Sequence, residues 1–283
     1  MRVDEAELLR NIYIQKSLSE VTMLSSCSGD VLGEMLNPAL LQAALKVKNA
    51  QVIQDMIKHK ADLNAFSMHG YTPLMMAAMS GCTQSVSSLI SAGVDVNLIN
   101  KKGQSALWLA ASNGHADVVK VLAKSGADLN LEDKKDGKTP LMVASELGHL
   151  QVISALIKVG ADVNKVSPYG QTALSYGIVG LSRDVKILKR LVAAGADICQ
   201  EPQSDNKRIH ALKPLVLAVL HRNRPAVKFL LSVGASGSED ALRFARGRDD
   251  QETLLLFEPK KVPQFVKKQK IVVLKSNNEN VKS

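Results

Sequence analysis

The stretch Gly70 to Asn97, GYTPLMMAAMSGCTQSVSSLISAGVDVN, decides how the rest of the chain is read. It returns as Gly103 to Asn130 (GQSALWLAASNGHADVVKVLAKSGADLN), as Gly137 to Asn164 (GKTPLMVASELGHLQVISALIKVGADVN), and in a looser copy from Gly170. The opening glycines at 70, 103, 137 and 170 set a period of 33 or 34 residues. Self-similarity of that length marks a stacked array, in which each unit buries its faces only against its neighbours.

Local chemistry predicts two short helices in each copy. Thr72 and Thr139 stand where a hydroxyl can accept from a first-turn N–H. Pro73 and Pro140 follow at the first helical position, where a fixed φ helps and a missing N–H costs nothing. Leu74, Ala77 and Ala78 give an apolar face of mostly small residues that lets helices approach closely, and Gly81, Gly114 and Gly148 end the helix. A second helix, built on Val118, Val119 and Leu122 in one copy and Val152, Ile153 and Leu156 in the next, stops at Gly93, Gly126 and Gly160. A G-A-D-x-N phrase then turns the chain into the following unit.

This pattern resembles the ankyrin repeat, whose phrase runs roughly G-x-T-P-L-H-x-A-A-x-x-G-H, then a V-V-x-L-L helix, then G-A-D-x-N. His115 and His149 fill the G-H position and are read as structural, with Cys82 in that place one unit earlier. The His of T-P-L-H is replaced by Met75, Trp108, Met142, Ser175 and Val216. In the family that His links neighbouring repeats by hydrogen bonds, so apolar packing is expected to stand in for it in several copies. The resemblance implies an all-α solenoid of stacked helix-turn-helix units with projecting loops.

The array is expected to span residues 1–258 in about eight units, near 4–31, 37–64, 70–97, 103–130, 137–164, 170–199, 211–237 and 238–258, with degenerate units as end caps. The sixth departs from the rest: two residues are inserted near Gly180–Arg183, and Cys199 stands where the closing Asn belongs. A tolerated surface insertion is the simplest reading, although insertions in arrays often map to binding faces. Residues 259–283 read as a Lys-rich, disordered tail.

Composition narrows the function. With 46% apolar residues and one Trp, the core must be aliphatic. Of the net charge of +9, the tail carries seven lysines against Glu279, a balance of +6, which leaves only +3 for the body. Three well-separated cysteines suit a reducing, intracellular setting, with the cytoplasm expected first and the nucleus second. No apolar run nears the roughly 18 residues of a membrane helix, and the opening MRVDEAELLR is too charged for a signal peptide. No H-E-x-x-H, zinc half-site, phosphate loop, dinucleotide fingerprint or nucleophile elbow occurs. Catalytic, cofactor-binding and metal-binding residues are therefore not expected, and the chain is read as a monomer without enzymatic activity.

The resemblance implies a protein partner on the concave face formed by loop tips and first helices. Residue by residue, that surface would include Met68, His69, Tyr71, Met79, Lys101, Lys102, Gln104, Asn113, Lys135, Lys138, Glu146, Tyr169 and Gln171. Tyr71, Tyr169, Met68 and Met79 are the expected anchors, since aromatic and adaptable apolar side chains carry interface energy. Lys101–Lys102 and Lys134–Lys135 fall in successive loops and should stack as a basic ridge. Solvated loop charges are the simplest reading of that ridge; an acidic protein partner comes second, and nucleic acid a distant third because few aromatics lie beside it for base stacking. A substrate-selecting adaptor of an enzyme complex such as a ubiquitin ligase is the alternative, and a nuclear regulator touching nucleic acid through the tail ranks third. The family also implies hydroxylation at Asn97, Asn130 and Asn164, each with a Leu eight residues earlier, though a structural turn Asn accounts for all three.

Overall fold

The computed structural model describes residues 62–67, 70–199 and 212–257. The unit expected at 4–31, residues 37–61 of the unit expected at 37–64, the tail 259–283, and Met68 and His69 lie outside the described residues. Twelve helices occur among the described residues, in six consecutive pairs: α1 (Pro73–Ser80) and α2 (Thr83–Ser91), α3 (Ala106–Ser112) and α4 (Ala116–Lys124), α5 (Pro140–Leu147) and α6 (Leu150–Lys158), α7 (Ala173–Val179) and α8 (Val185–Ala193), α9 (Pro214–Leu220) and α10 (Arg224–Ser232), α11 (Ser238–Gly247) and α12 (Gln251–Leu254). Extended pairing among them is limited to a single antiparallel bridge between Ile99 and Ser105.

The first helices pack in a row, α1 on α3, α3 on α5, and so on to α11, and the second helices α2 to α10 form a parallel layer behind them. First helices are covered by both neighbours and by their own partner, which is why Pro140 through Ser145 of α5 are all buried. Second helices face water on one side and bury only a stripe, such as Val118, Val119 and Leu122 of α4. Leu107, Leu122, Leu141 and Leu156 are fully enclosed, each worth about 1.5–3 kcal/mol in burial. Met75 and Met76 belong to this core.

The caps form as the threonines suggest, and Ser105 takes the same role in the unit between them. Thr72 and Thr139 accept from Met75 N and Met142 N at 3.3 Å, and Ser105 accepts from Trp108 N at 3.2 Å. Where the family His is missing, the substitutes do different things. The thioethers of Met75 and Met142 turn back on the N-cap N–H groups of Thr72 and Thr139 at 3.5 Å. Trp108 keeps a polar link between units, since its indole Nε1 donates to the Lys138 carbonyl at 3.0 Å.

The pair α7–α8 is the irregular one. Gly148 and His149 suffice to join α5 to α6, whereas Gly180 through Asp184 are needed to join α7 to α8. This is the insertion visible in the sequence, and it alters the surface of the array at that level.

Candidate protein-binding surface

The projecting loops are small hairpins, each closed by one polar residue. Asn100 Oδ1 accepts from Lys102 N and Gln104 N at 2.9 and 3.0 Å. Asp133 accepts from Lys138 N at 2.6 Å, and Ser67 and Ser167 accept from Tyr71 N and Gln171 N. Asn100, Asp133 and Ser167 are buried for this purpose. Asn, Asp and Ser interchange here because each offers an acceptor oxygen at the same reach, and that interchange hides the position from simple pattern matching.

Successive hairpins rest on one another. Lys134 N donates to the Lys102 carbonyl at 2.8 Å. Gly103, at φ +79°, has no room for a side chain: a Cβ there would stand 2.6 Å from Lys134 N. The Lys101 stem lies over Gly70 and the Lys134 stem over Gly103, so these side chains leave the stack along a fixed line. Lys101, Lys102, Lys134 and Lys135 are exposed and make no ion pair among the described residues.

Two further ladders set the pitch. Asn64, Asn97, Asn130 and Asn164 each accept from the N–H of the Asp in the next unit's phrase (Asp95, Asp128, Asp162 and Asp197) at 2.8–3.1 Å. Asn97 and Asn164 also donate to the Gly126 and Gly195 carbonyls. The candidate hydroxylation residues thus sit on the array's own inter-unit bond, and Cys199 ends it. The second ladder satisfies the carbonyl at the end of each first helix from the unit that follows. His115 bonds Met79 O and His149 bonds Ser112 O, both at 3.0 Å. In the irregular unit the backbone N–H of Leu181 reaches Glu146 O at 2.9 Å. Asn223 then serves Ile178 O and Arg248 serves Leu220 O.

The expected surface residues divide by what already occupies them. Lys101, Lys102, Lys135 and Tyr169 project outward, Tyr169 with 41% of its area exposed. Tyr71 and Met79 are half-buried and pack against the core, and Gln171 is half-buried beside its hairpin. Gln104 accepts from Asn100 Nδ2, and Asn113 Nδ2 donates to Leu109 O, so both amides are engaged internally. Lys138 is enclosed, bridging Asp136 at 3.3 Å and Glu146 at 2.8 Å beneath its own hairpin, with its Nζ 4.9 Å from the centre of the Tyr176 ring. Burial pulls the Lys138 pKa down, but the hydrogen bond and charge of Glu146 outweigh it and hold the pKa above 10.5. Burial pushes the Tyr176 phenol above 10.0 against the lowering pull of Ser167 and Lys138.

The insertion creates a feature that no repeat phrase encodes. Glu146 and Leu147 at the end of α5, and Gln171, Tyr176, Val179, Gly180 and Leu181 around α7, line a shallow groove of ≈ 330 Å³. Leu181 is 81% exposed and Val179 39% exposed, on backbone that is pinned to the preceding unit. The chain signalled the place by its two extra residues, but the apolar character depends on which side chains the longer connection turns outward.

A family model described as Ankyrin repeats (3 copies) matches residues 40–133 and 129–202, more than half of the chain. The chain belongs to the ankyrin repeat family. Ankyrin repeats are generally protein–protein interaction modules in a family that is generally non-enzymatic. Among curated proteins, none matches the chain. Within the described part of this ankyrin array no helix is long and apolar enough to cross a membrane.

Proposed function

We propose that the chain is a non-catalytic scaffold that captures a protein partner on the concave face and hairpin tips of its ankyrin array. The observation that carries this reading is the stacked line of lysines without an ion pair among the described residues, Lys101, Lys102, Lys134 and Lys135, on hairpins whose backbone is already fixed. A preformed surface loses little conformational entropy on binding, so its charges act at full effect. Tyr169 extends the same edge with an exposed aromatic ring. Hydroxylation of Asn97, Asn130 or Asn164 would modify the inter-unit ladder rather than this edge, and intact-mass analysis after coexpression with an asparaginyl hydroxylase reads it as one added oxygen.

The test is proximity labelling in cells with the full chain and with a variant carrying Tyr169→Ala, Lys102→Glu and Lys135→Glu. Tyr71 is left intact because it packs against the core. Loss of the strongest labelled proteins at unchanged expression is the expected result, and an unchanged set of labelled proteins sinks the assignment. The same experiment without residues 259–283 separates the array from the tail.

A further inference from the structure

The groove at the irregular unit has properties that the fold does not need. Leu181 contributes a backbone N–H to Glu146 O, yet its side chain stands in water. A Cβ on Gly180 would collide with that same Glu146 carbonyl, so the connection is held tightly against α5 and Leu181 is presented on a rigid support. Tyr176, which is buried, lines it together with Leu147 and the partly exposed Val179. At ≈ 330 Å³ the space is at the small end of ligand pockets, about 300–1,000 Å³. It is also shallow, which suits an inserted side chain better than an enclosed metabolite.

Charge says what should come with that side chain. At the rim, Lys138 is neutralised by Asp136 and Glu146. Among the described residues, the exposed cations without an ion pair on the elements that build the groove are Arg183 on the connection itself and Lys134 and Lys135 on the hairpin that leads into α5, with Lys101 and Lys102 one unit earlier. Packed helices lie about 8–10 Å apart, and an extended chain covers about 3.3–3.6 Å per residue. One unit of the array therefore matches about three residues of an extended ligand.

We propose that this groove takes a large apolar side chain from an extended, acidic segment of a protein partner, whose carboxylates run along the lysine ridge toward the N-terminal units. The inference rests on the reading of the concave face as a protein-binding surface. It adds the chemistry of the ligand: one apolar anchor, with acidic residues about three and six positions away on one side only.

The experiment is a selection of random displayed peptides on the full chain, followed by fluorescence anisotropy of the enriched sequences. Enriched peptides are expected to share a Leu, Ile, Met or Phe with Asp or Glu spaced on one side. Their affinity should fall at least tenfold for Leu181→Asp and for the combined Lys101→Ala, Lys102→Ala, Lys134→Ala and Lys135→Ala variant. It should also weaken with added salt. Leu181 is exposed, so circular dichroism of Leu181→Asp should match the wild type. Peptides that bind both variants as tightly as the wild type, or an enriched set that is basic or uncharged, overturn the inference. If those peptides are still displaced by the cellular partner, the concave-face reading survives without it. Failure to enrich any peptide overturns the inference as well, while the labelling experiment decides separately whether a folded partner is bound.

Discussion

The units at 103–130 and 137–164 differ from everything after Gly170 in how they solve the same problem. In the first two, the residue two places before the second helix is a glycine, Gly114 or Gly148, at φ +80° and +87°. After Gly170 the corresponding left-handed residues are Arg183, Arg222 and Asp249, at φ near +50°. In the first two, histidines serve the carbonyl of the preceding first helix, whereas later a backbone N–H, an Asn and an Arg do so. The Asn ladder runs through the regular units and ends at Cys199. The comparison teaches that stacking requires these bonds to be made and is indifferent to which residue makes them. Freedom in that choice is what lets the later units depart from the repeat phrase and present Leu181 on a pinned connection.

The largest expected effect separates the two regions directly. Leu156→Ala and Leu191→Ala each empty a fully buried site, and each should cost about 2–5 kcal/mol. Their unfolding curves should differ in form. Trp108 is the only tryptophan and sits in α3, so its fluorescence reports the regular units while circular dichroism reports all helices. For Leu156→Ala both signals should move together in urea. For Leu191→Ala the dichroism should fall first, because the Asn ladder does not continue past Cys199 and the later pairs uncouple. Coincident curves for both variants would mean the two regions are one cooperative unit.

A sharper probe compares the two ways of serving the same carbonyl. His149→Ala removes the ring that bonds Ser112 O and should destabilise by about 1–3 kcal/mol, since a partly buried acceptor loses its partner. Leu181→Ala keeps the N–H that bonds Glu146 O, and its exposed side chain contributes no packing, so stability should stay within about 0.5 kcal/mol. Urea midpoints at constant slope measure both. A Leu181→Ala loss as large as that of His149→Ala would show that its side chain supports the fold, and would remove the reason for assigning it to a partner.

The fold was legible in the sequence because its signals are local and repeated. Thr72–Pro73, Thr139–Pro140 and the glycines at the helix ends carry their conformations in their own chemistry, and a fixed period multiplies the signal. The surface was less legible for two reasons. Lys138, Asn113, Gln104 and Glu146 look like exposed polar contacts in the chain, but bonds to side chains or backbone of their own unit consume them. Leu181 looks like part of a neutral insertion, and only the path of Gly180–Asp184 places it on the rim of a groove. Trp108 reads as a lost histidine, yet its indole keeps the inter-unit bond, because an N–H at the end of a long flat side chain reaches as far as an imidazole.

Glycine supplies the next break in the comparison. An L residue in the left-handed region carries about 1–2 kcal/mol of strain, and Arg222 holds that conformation at φ +51°. Its side chain is exposed. Arg222→Gly should therefore stabilise the later pairs by up to about 1 kcal/mol, the relief of strain exceeding the extra entropy of a flexible unfolded chain. Gly148→Ala, the converse change in the regular region, meets Ser182 at 2.5 Å as well as the conformational strain, and should destabilise. A loss for Gly148→Ala larger than the about 1–2 kcal/mol of strain alone would show that the close approach of Ser182 adds to the need for glycine there.

The smallest effect is confined to the C-terminal pair and depends on pH. Asp250 caps α12 by accepting from Thr253 N at 3.2 Å and from the Thr253 hydroxyl at 2.8 Å, and it also receives Arg224 at 3.2 Å. The Thr253 hydroxyl bond is the first cause of a carboxyl pKa below its ordinary 3.8; burial opposes it, and Arg224 lowers it further. A folded-state pKa below the unfolded one means that the carboxylate's contribution is complete above about pH 4 and is lost as pH falls through the depressed value. The dichroism midpoint of the later pairs should therefore drop on acidification more steeply in the wild type than in Asp250→Asn, which keeps an acceptor but does not titrate. Trp108 fluorescence should give the same acid limb for both proteins. If Asp250→Asn changed that limb too, the C-terminal cap would be coupled through the whole array, and the separation drawn at Cys199 would fail.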